Sequence, residues 1–195
     1  MTRMTPKTRE ALPDMEPVFQ AIEANMGFVP NSMLTMAHWP ELPQSFGSFA
    51  GDIIGGGELE RSLKQLIAFV VSNAAGCRYC QAHTSHGAEA NGVSPEKIQA
   101  AFEFETSSLF TDREKAALRV ALHAGMVPNA VEPEHMAALK EHFSDKQCVE
   151  IVAVISLFGF LNRWNDTMAT TLEDKPRAFA AETIAGAGWD VGKHG

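Results

Sequence analysis

The stretch Gly76-Cys77-Arg78-Tyr79-Cys80-Gln81-Ala82-His83-Thr84-Ser85-His86 constrains this chain more than any other. It sets two of the three cysteines three residues apart and follows them with two histidines at the same spacing. Upstream, Leu59, Leu63, Leu66, Ile67 and Val70 recur at helical spacing, and downstream Asn91-Gly92 is a helix stop. The pattern predicts two consecutive helices, Leu59 to Ala75 and Cys77 to Ala90, packed as a pair with the cysteines opening the second.

The remaining punctuation is also helical. Val18, Phe19 and Ile22 mark a helix from Met15 to Met26 that Gly27 stops, and Pro30, Pro40 and Pro43 divide the next stretch into short pieces over 31–38 and 41–54. Gly55-Gly56-Gly57 is a break. Ser94-Pro95 starts a helix, Thr111-Asp112-Arg113-Glu114 is a capping box, and Pro133 stands where a helix can begin. A second capping box, Ser144 to Gln147, launches the most apolar segment, Cys148 to Leu161, with Asn162 to Glu173 extending it or kinking away and Pro176 ending it. No segment sustains the alternation of a half-buried strand. The expected fold is all-α, an oligomeric helical bundle built as a single domain over 1–195. Residues 1–13 form an N-terminal arm, 57–92 carry the helix pair, and 177–195 make an irregular tail.

Bulk properties narrow the function. A net charge of -8 without any basic run argues against a nucleic-acid backbone as partner. The longest apolar run, Ile151 to Leu161, falls short of the roughly 20 residues that span a bilayer, so no membrane association is expected. Three cysteines cannot all pair within the chain, which favours a reducing cytoplasm over a disulfide-stapled fold.

On a helix, three residues turn the side chain by about 300°, so Cys77, Cys80, His83 and His86 form a sweeping stripe. Cys80 and His83 are then the natural reactive pair, and Cys77 is placed to close a disulfide with Cys80. A thiol in the first turn gains from the helix N-terminus, and Arg78 adds positive charge nearby. Two other readings stand beside redox chemistry: small packing residues, or a metal site. Four ligands at a regular spacing within one helix do not converge tetrahedrally, and neither metal nor cofactor is expected. Cys148 reads as an inert core thiol, His38 and Trp39 as packing or surface residues, and His123, His135 and His142 as solvated or capping. Asn162-Arg163-Trp164-Asn165-Asp166 reads as a helix end at a subunit contact, with a substrate-facing patch as the alternative.

The run C-R-Y-C-Q-A-H-T-S-H after an apolar helix resembles the carboxymuconolactone decarboxylase and alkyl hydroperoxidase D superfamily. Gly27-Phe28-Val29-Pro30-Asn31, the segment from Phe160 to Asp166, and the terminal Gly188-Trp189 with Gly192-Lys193-His194 are similar to its peroxidase-related branch. The resemblance implies a homo-oligomer, trimer or hexamer, in which Cys80 attacks a peroxide and Cys77 resolves it. A dithiol or a protein electron donor then restores both thiols. It also implies a proton relay from which this chain departs: Gln65 stands at the relay glutamate, the histidine is His83 with Thr84 at the more usual place, and Tyr79 replaces a further histidine. Gln65, Tyr79, Thr84 and His86 are the supporting candidates, and Glu58 or Glu60 could supply the missing carboxylate if the preceding loop folds over the site. The expected activity is a thiol-dependent peroxidase, an antioxidant disulfide oxidoreductase. A cofactor-free decarboxylase of a muconolactone-like acid and a redox-sensing oligomer are the alternatives.

Overall fold

Side-chain caps set several helix starts. Thr111 and Ser144 each close a capping box, accepting the backbone N–H of Glu114 and Gln147, and the Ser94 hydroxyl accepts that of Lys97. The computed structural model describes residues 2–195. Its α-helices run in the order α1 Glu16–Met26, α2 Asn31–Met36, α3 Glu41–Gly55, α4 Arg61–Ala74, α5 Arg78–Ala90, α6 Pro95–Ala100, α7 Asp112–Gly125, α8 Pro133–Lys140, α9 Asp145–Met168 and α10 Asp174–Thr183. No strand occurs among the described residues, as the sequence predicts.

The main core forms around α4, which packs on α5, α7 and α9. Leu63, Leu66, Ile67, Phe69, Val70 and Val71 are buried along it, each such side chain contributing about 1.5–3 kcal/mol of transfer free energy. The glycine break before α4 is clamped rather than loose. The buried Lys64 ammonium donates to the carbonyls of Ile53 at 2.7 Å and Gly56 at 2.5 Å. Glu150 of α9 accepts the N–H groups of Glu58 and Leu59 and lies 3.8 Å from Lys64. Gly57 holds φ +79°, and a Cβ there would collide with the Glu150 carboxylate, so only glycine fits the turn.

Of the two courses open to the apolar segment beyond Leu161, extension is the one taken: α9 runs 24 residues and ends where Ala169 turns to φ 50°. It continues because Asn162 and Asn165 face inward and are buried, so the polar end of the segment is also a packed face. One expectation needs correction, since the tail is not irregular from residue 177. Pro176 lies in the first turn of α10, where a missing N–H costs nothing, and so it helps to start a helix instead of ending one. Beyond α10 come two 3-10 turns, Ala185–Ala187 and Gly192–His194. By length and composition α9 alone among the described residues could cross a membrane, at a mean hydropathy of 1.2; in this fold it packs against α3, α4, α5, α7 and α8.

Candidate active site

Cys77 is the N-cap of α5, with extended backbone, and its Sγ accepts the backbone N–H of Cys80 at 3.4 Å. Both thiols are free and buried. An amide aimed at the first sulfur is the interaction that favours a thiolate at a helix start. Cys80 meets different surroundings. Asn165 of α9 donates its Nδ2 to the sulfur at 3.5 Å. Burial pushes the Cys80 thiol well above its ordinary value and the adjacent Cys77 adds to the rise, with Asn165 opposing them. Thr84, one turn on, donates its hydroxyl to the Cys80 carbonyl at 2.7 Å and so braces the backbone of this turn.

His83 is engaged elsewhere. Its Nε2 lies 2.5 Å from a carboxylate oxygen of Glu173. The other Glu173 oxygen accepts the Tyr79 hydroxyl at 2.8 Å and the Asn31 N–H at 2.5 Å. The Tyr79 and His83 rings stack at 4.3 Å, and Phe28 meets His83 edge-on at 5.4 Å. Burial acts to raise the Glu173 carboxyl, but the His83 imidazole and the hydrogen bonds from His83 and Asn31 outweigh it and leave it below its ordinary value. Burial, reinforced by the Glu173 charge, pushes the Tyr79 phenol well up, so that Tyr79 stays a donor. Among the described residues no hydrogen bond joins His83 to either sulfur; the histidine expected beside Cys80 is held by a carboxylate instead.

That carboxylate is the group which sequence reasoning missed. Gln65 lies against Gly87, where a Cβ would come within 2.7 Å of its Oε1. Glu58 pairs with Lys146 at 2.8 Å and Glu60 with Arg113 at 3.4 Å, so neither stands in for the relay glutamate. Glu173 occupies the N-cap position of α10; an acidic residue before a proline-containing first turn was the signal, and Pro176 was read as a stop. His86 lies at the edge of the group, its ring 5.8 Å from Phe179 and 6.3 Å from Phe28. Burial, with His83 adding, lowers its pKa.

A third group approaches from the tail. The Cys77 sulfur, an Asp166 carboxylate oxygen and a His194 ring nitrogen all lie within 4.8 Å of one another. Lys193 holds the other face of the carboxylate, its Nζ 2.7 Å from Asp166 Oδ2. An ammonium on the same carboxylate opposes a metal cation there, and the trio suits proton movement better. Trp189 pins the tail to α5, donating its indole N–H to the Arg78 carbonyl at 3.0 Å. The run expected at a subunit contact is therefore split. Asn165 and Asp166 turn toward the dithiol and Asn162 is buried, while Arg163 and Trp164 line an apolar groove of about 920 Å³ with Val120, Ile155 and Phe160. Elsewhere Cys148 is a buried thiol that burial pushes up, and the His123 and His135 rings meet at a tilt, 4.1 Å apart, a pairing not expected.

The sequence model of the carboxymuconolactone decarboxylase family matches residues 40–123. The debrominase Bmp8 has been crystallised as the apo protein and, as a cysteine-to-alanine variant, in complex with 2,3,4-tribromopyrrole; the latter is 40% identical, covers 94% of this chain and 98% of its own, and superposes with a TM-score of 0.88. A peroxidase-related protein with an alkylhydroperoxidase AhpD core from Ralstonia eutropha JMP134 is 26% identical over 92% of this chain and 95% of its own, with a TM-score of 0.80. Protein YdfG of Bacillus subtilis (strain 168) is 28% identical over 55% of this chain and 71% of its own. With these relatives, and with the dithiol opening α5 of an all-helical fold, the chain belongs to the carboxymuconolactone decarboxylase and alkyl hydroperoxidase D-like superfamily.

Proposed function

We propose that this chain is a thiol-dependent oxidoreductase in which Cys77 and Cys80 together deliver two electrons to a small electrophilic substrate, a hydroperoxide being the first class to test. The observation that carries the reading is the pair of free, buried thiols at the α5 N-terminus, with the Cys80 N–H on one sulfur and the Asn165 amide on the other. In the peroxide reaction one sulfur attacks the outer oxygen, the O–O bond breaks, and an alcohol leaves. The resulting sulfenic acid condenses with the second thiol, releasing water and forming the Cys77–Cys80 disulfide. An external dithiol or electron-donor protein reduces that disulfide.

A second substrate class has its own support, the 40% identity to Bmp8 over nearly all of that chain. Replacing C–Br by C–H also takes two electrons. Here a thiolate attacks bromine, the carbon takes up a proton, and the second thiol displaces bromide as the disulfide closes. The same residues and the same external reductant serve both reactions. The apolar groove beside Arg163 and Trp164 supports assembly with further copies of this chain, the cytoplasm is the compartment that keeps such thiols reduced, and His83 with Glu173 and Tyr79 orders the wall of the site.

Parallel assays decide between the substrates. Loss of an organic hydroperoxide and release of bromide from 2,3,4-tribromopyrrole are each followed with dihydrolipoamide as reductant, for the wild type, Cys77→Ser and Cys80→Ser. Peroxide loss that needs both cysteines supports the first class, and cysteine-dependent bromide release without peroxide loss selects the second. Turnover that survives both substitutions overturns the dithiol reading, as does inactivity toward both substrates with two free thiols confirmed.

A further inference from the structure

His194 is almost wholly buried, at 1% exposure, and is fixed in one tautomer. Its Nδ1 donates to the Thr170 carbonyl at 2.8 Å, and its own carbonyl accepts the Leu172 N–H at 2.8 Å. Nε2 therefore carries the lone pair, and it is buried with no hydrogen-bond partner. An imidazole lone pair left unsatisfied in a core costs free energy unless another group uses it. A group able to use it is the Cys77 thiol, whose sulfur lies within 4.8 Å of a His194 ring nitrogen.

We propose that His194 is the base that takes the Cys77 proton, which makes Cys77 the thiolate of the reduced pair. This rests on the dithiol reading above and deepens it. The step moves one proton: the Cys77 S–H bond breaks, and Nε2 of His194 gains the proton as a thiolate and an imidazolium form side by side. Three features favour the products. The Cys80 N–H points at the Cys77 sulfur, 3.4 Å away. Asp166 of α9 places Oδ1 3.8 Å from Nε2, where a carboxylate stabilises imidazolium; the same carboxylate lies within 4.8 Å of the Cys77 sulfur and opposes its negative charge, an opposition that the Lys193 ammonium on Oδ2 weakens. The neighbouring Cys80 stays a neutral thiol. Lys193, on the same turn as His194, opposes the imidazolium charge but is tied to Asp166 at 2.7 Å, and Tyr79 presents a neutral ring 5.8 Å from that of His194. Burial lowers the His194 pKa despite the Thr170 carbonyl and Asp166, so the ring is neutral and able to accept when the thiol is intact.

The roles implied by resemblance are then reversed. The Cys77 thiolate attacks the electrophilic atom, the imidazolium returns its proton to the departing alkoxide, and Cys80 resolves. His194 acts on the attacking sulfur; His83, bound to Glu173, does not.

The test reads the proton directly and needs no turnover. Ultraviolet thiolate absorbance, taken as the difference between the wild type and Cys77→Ser, gives the Cys77 titration. His194→Asn is expected to raise its midpoint by about one unit, roughly a tenfold loss of thiolate at neutral pH. Asparagine keeps an amide donor for the Thr170 carbonyl while removing Nε2. An unmoved midpoint in His194→Asn with native circular dichroism overturns the proposal. If that variant does not fold, the reciprocal titration serves: by NMR, Cys77→Ser lowers the His194 imidazole midpoint, and an unchanged midpoint overturns the assignment. The dithiol reading fails by another route, inactivity with free thiols, so the two failures are distinguishable.

Discussion

Two clusters of buried polar groups hold this fold together, and they are finished to different standards. Around Lys64 the pairing is closed. The ammonium has two carbonyls and a carboxylate, and that carboxylate holds two backbone N–H groups of the glycine turn. Around the dithiol it is not. Seven buried side-chain atoms among the described residues lack a partner, and two of them, Asn165 Oδ1 and His194 Nε2, belong to the residues that face the two sulfurs. Natural cores satisfy nearly all buried polar atoms. A cluster that only stabilises is complete in the resting protein, whereas one that must receive a substrate and move protons keeps donors and acceptors in reserve.

If this contrast holds, substitutions in the two clusters separate stability from activity. The largest effect falls on the sulfurs: Cys77→Ser and Cys80→Ser each reduce turnover by about a thousandfold or more in the coupled assay, and because the pair acts as a unit the double variant is scarcely worse. Lys64→Met is next and of the opposite kind. Leaving Glu150 without its buried cation and two carbonyls without a donor destabilises the fold by about 3 kcal/mol in urea titration, with kcat per folded molecule unchanged. Equal loss of activity would show that the Lys64 cluster is not separate from the site.

Glu173→Gln sits between the two clusters in character. Releasing His83 and Tyr79 from the carboxylate that orders the wall of the site lowers kcat/KM by about a hundredfold. It also removes a pH dependence whose sign follows from the lowered Glu173 pKa. The stabilisation is full above the ordinary glutamate value of about 4.3 and is lost as pH falls through the lower folded value. Urea midpoints of the wild type and Glu173→Gln should therefore converge toward acid, and a constant gap would place the charge elsewhere. The smallest effect is that of Asn165→Ala, which removes one long hydrogen bond to Cys80. About a threefold slowing of disulfide closure, read by stopped-flow, matches a contribution of roughly 0.5–1.5 kcal/mol.

Much of the frame was legible in the sequence because its signals are local. Gly27 ends α1 at φ +77°, Thr111 and Ser144 start α7 and α9, and Cys77 opens α5 as its spacing indicates. The site was half legible for the same reason. The dithiol and His83 share one helix, but the groups that face them come from far along the chain: Glu173 lies 90 residues beyond His83, and Asn165 lies 85 beyond Cys80. No local pattern marks such partners. Pro176 misled through its ambiguity, since a proline that stops one helix equally begins the next. Asn162 and Asn165 were ambiguous through polarity, since a buried amide looks in sequence like an exposed helix end.

The pinning of Trp189 to Arg78 across 111 residues has a consequence for synthesis. Residues 61–90, which form α4 and α5, leave the ribosome first, and at about 5–20 residues per second several seconds pass before α9, Glu173 and Trp189 follow. Through that interval the cysteines lack the partners that bury them in the fold. The nascent chain is thus more open to oxidants than the folded protein.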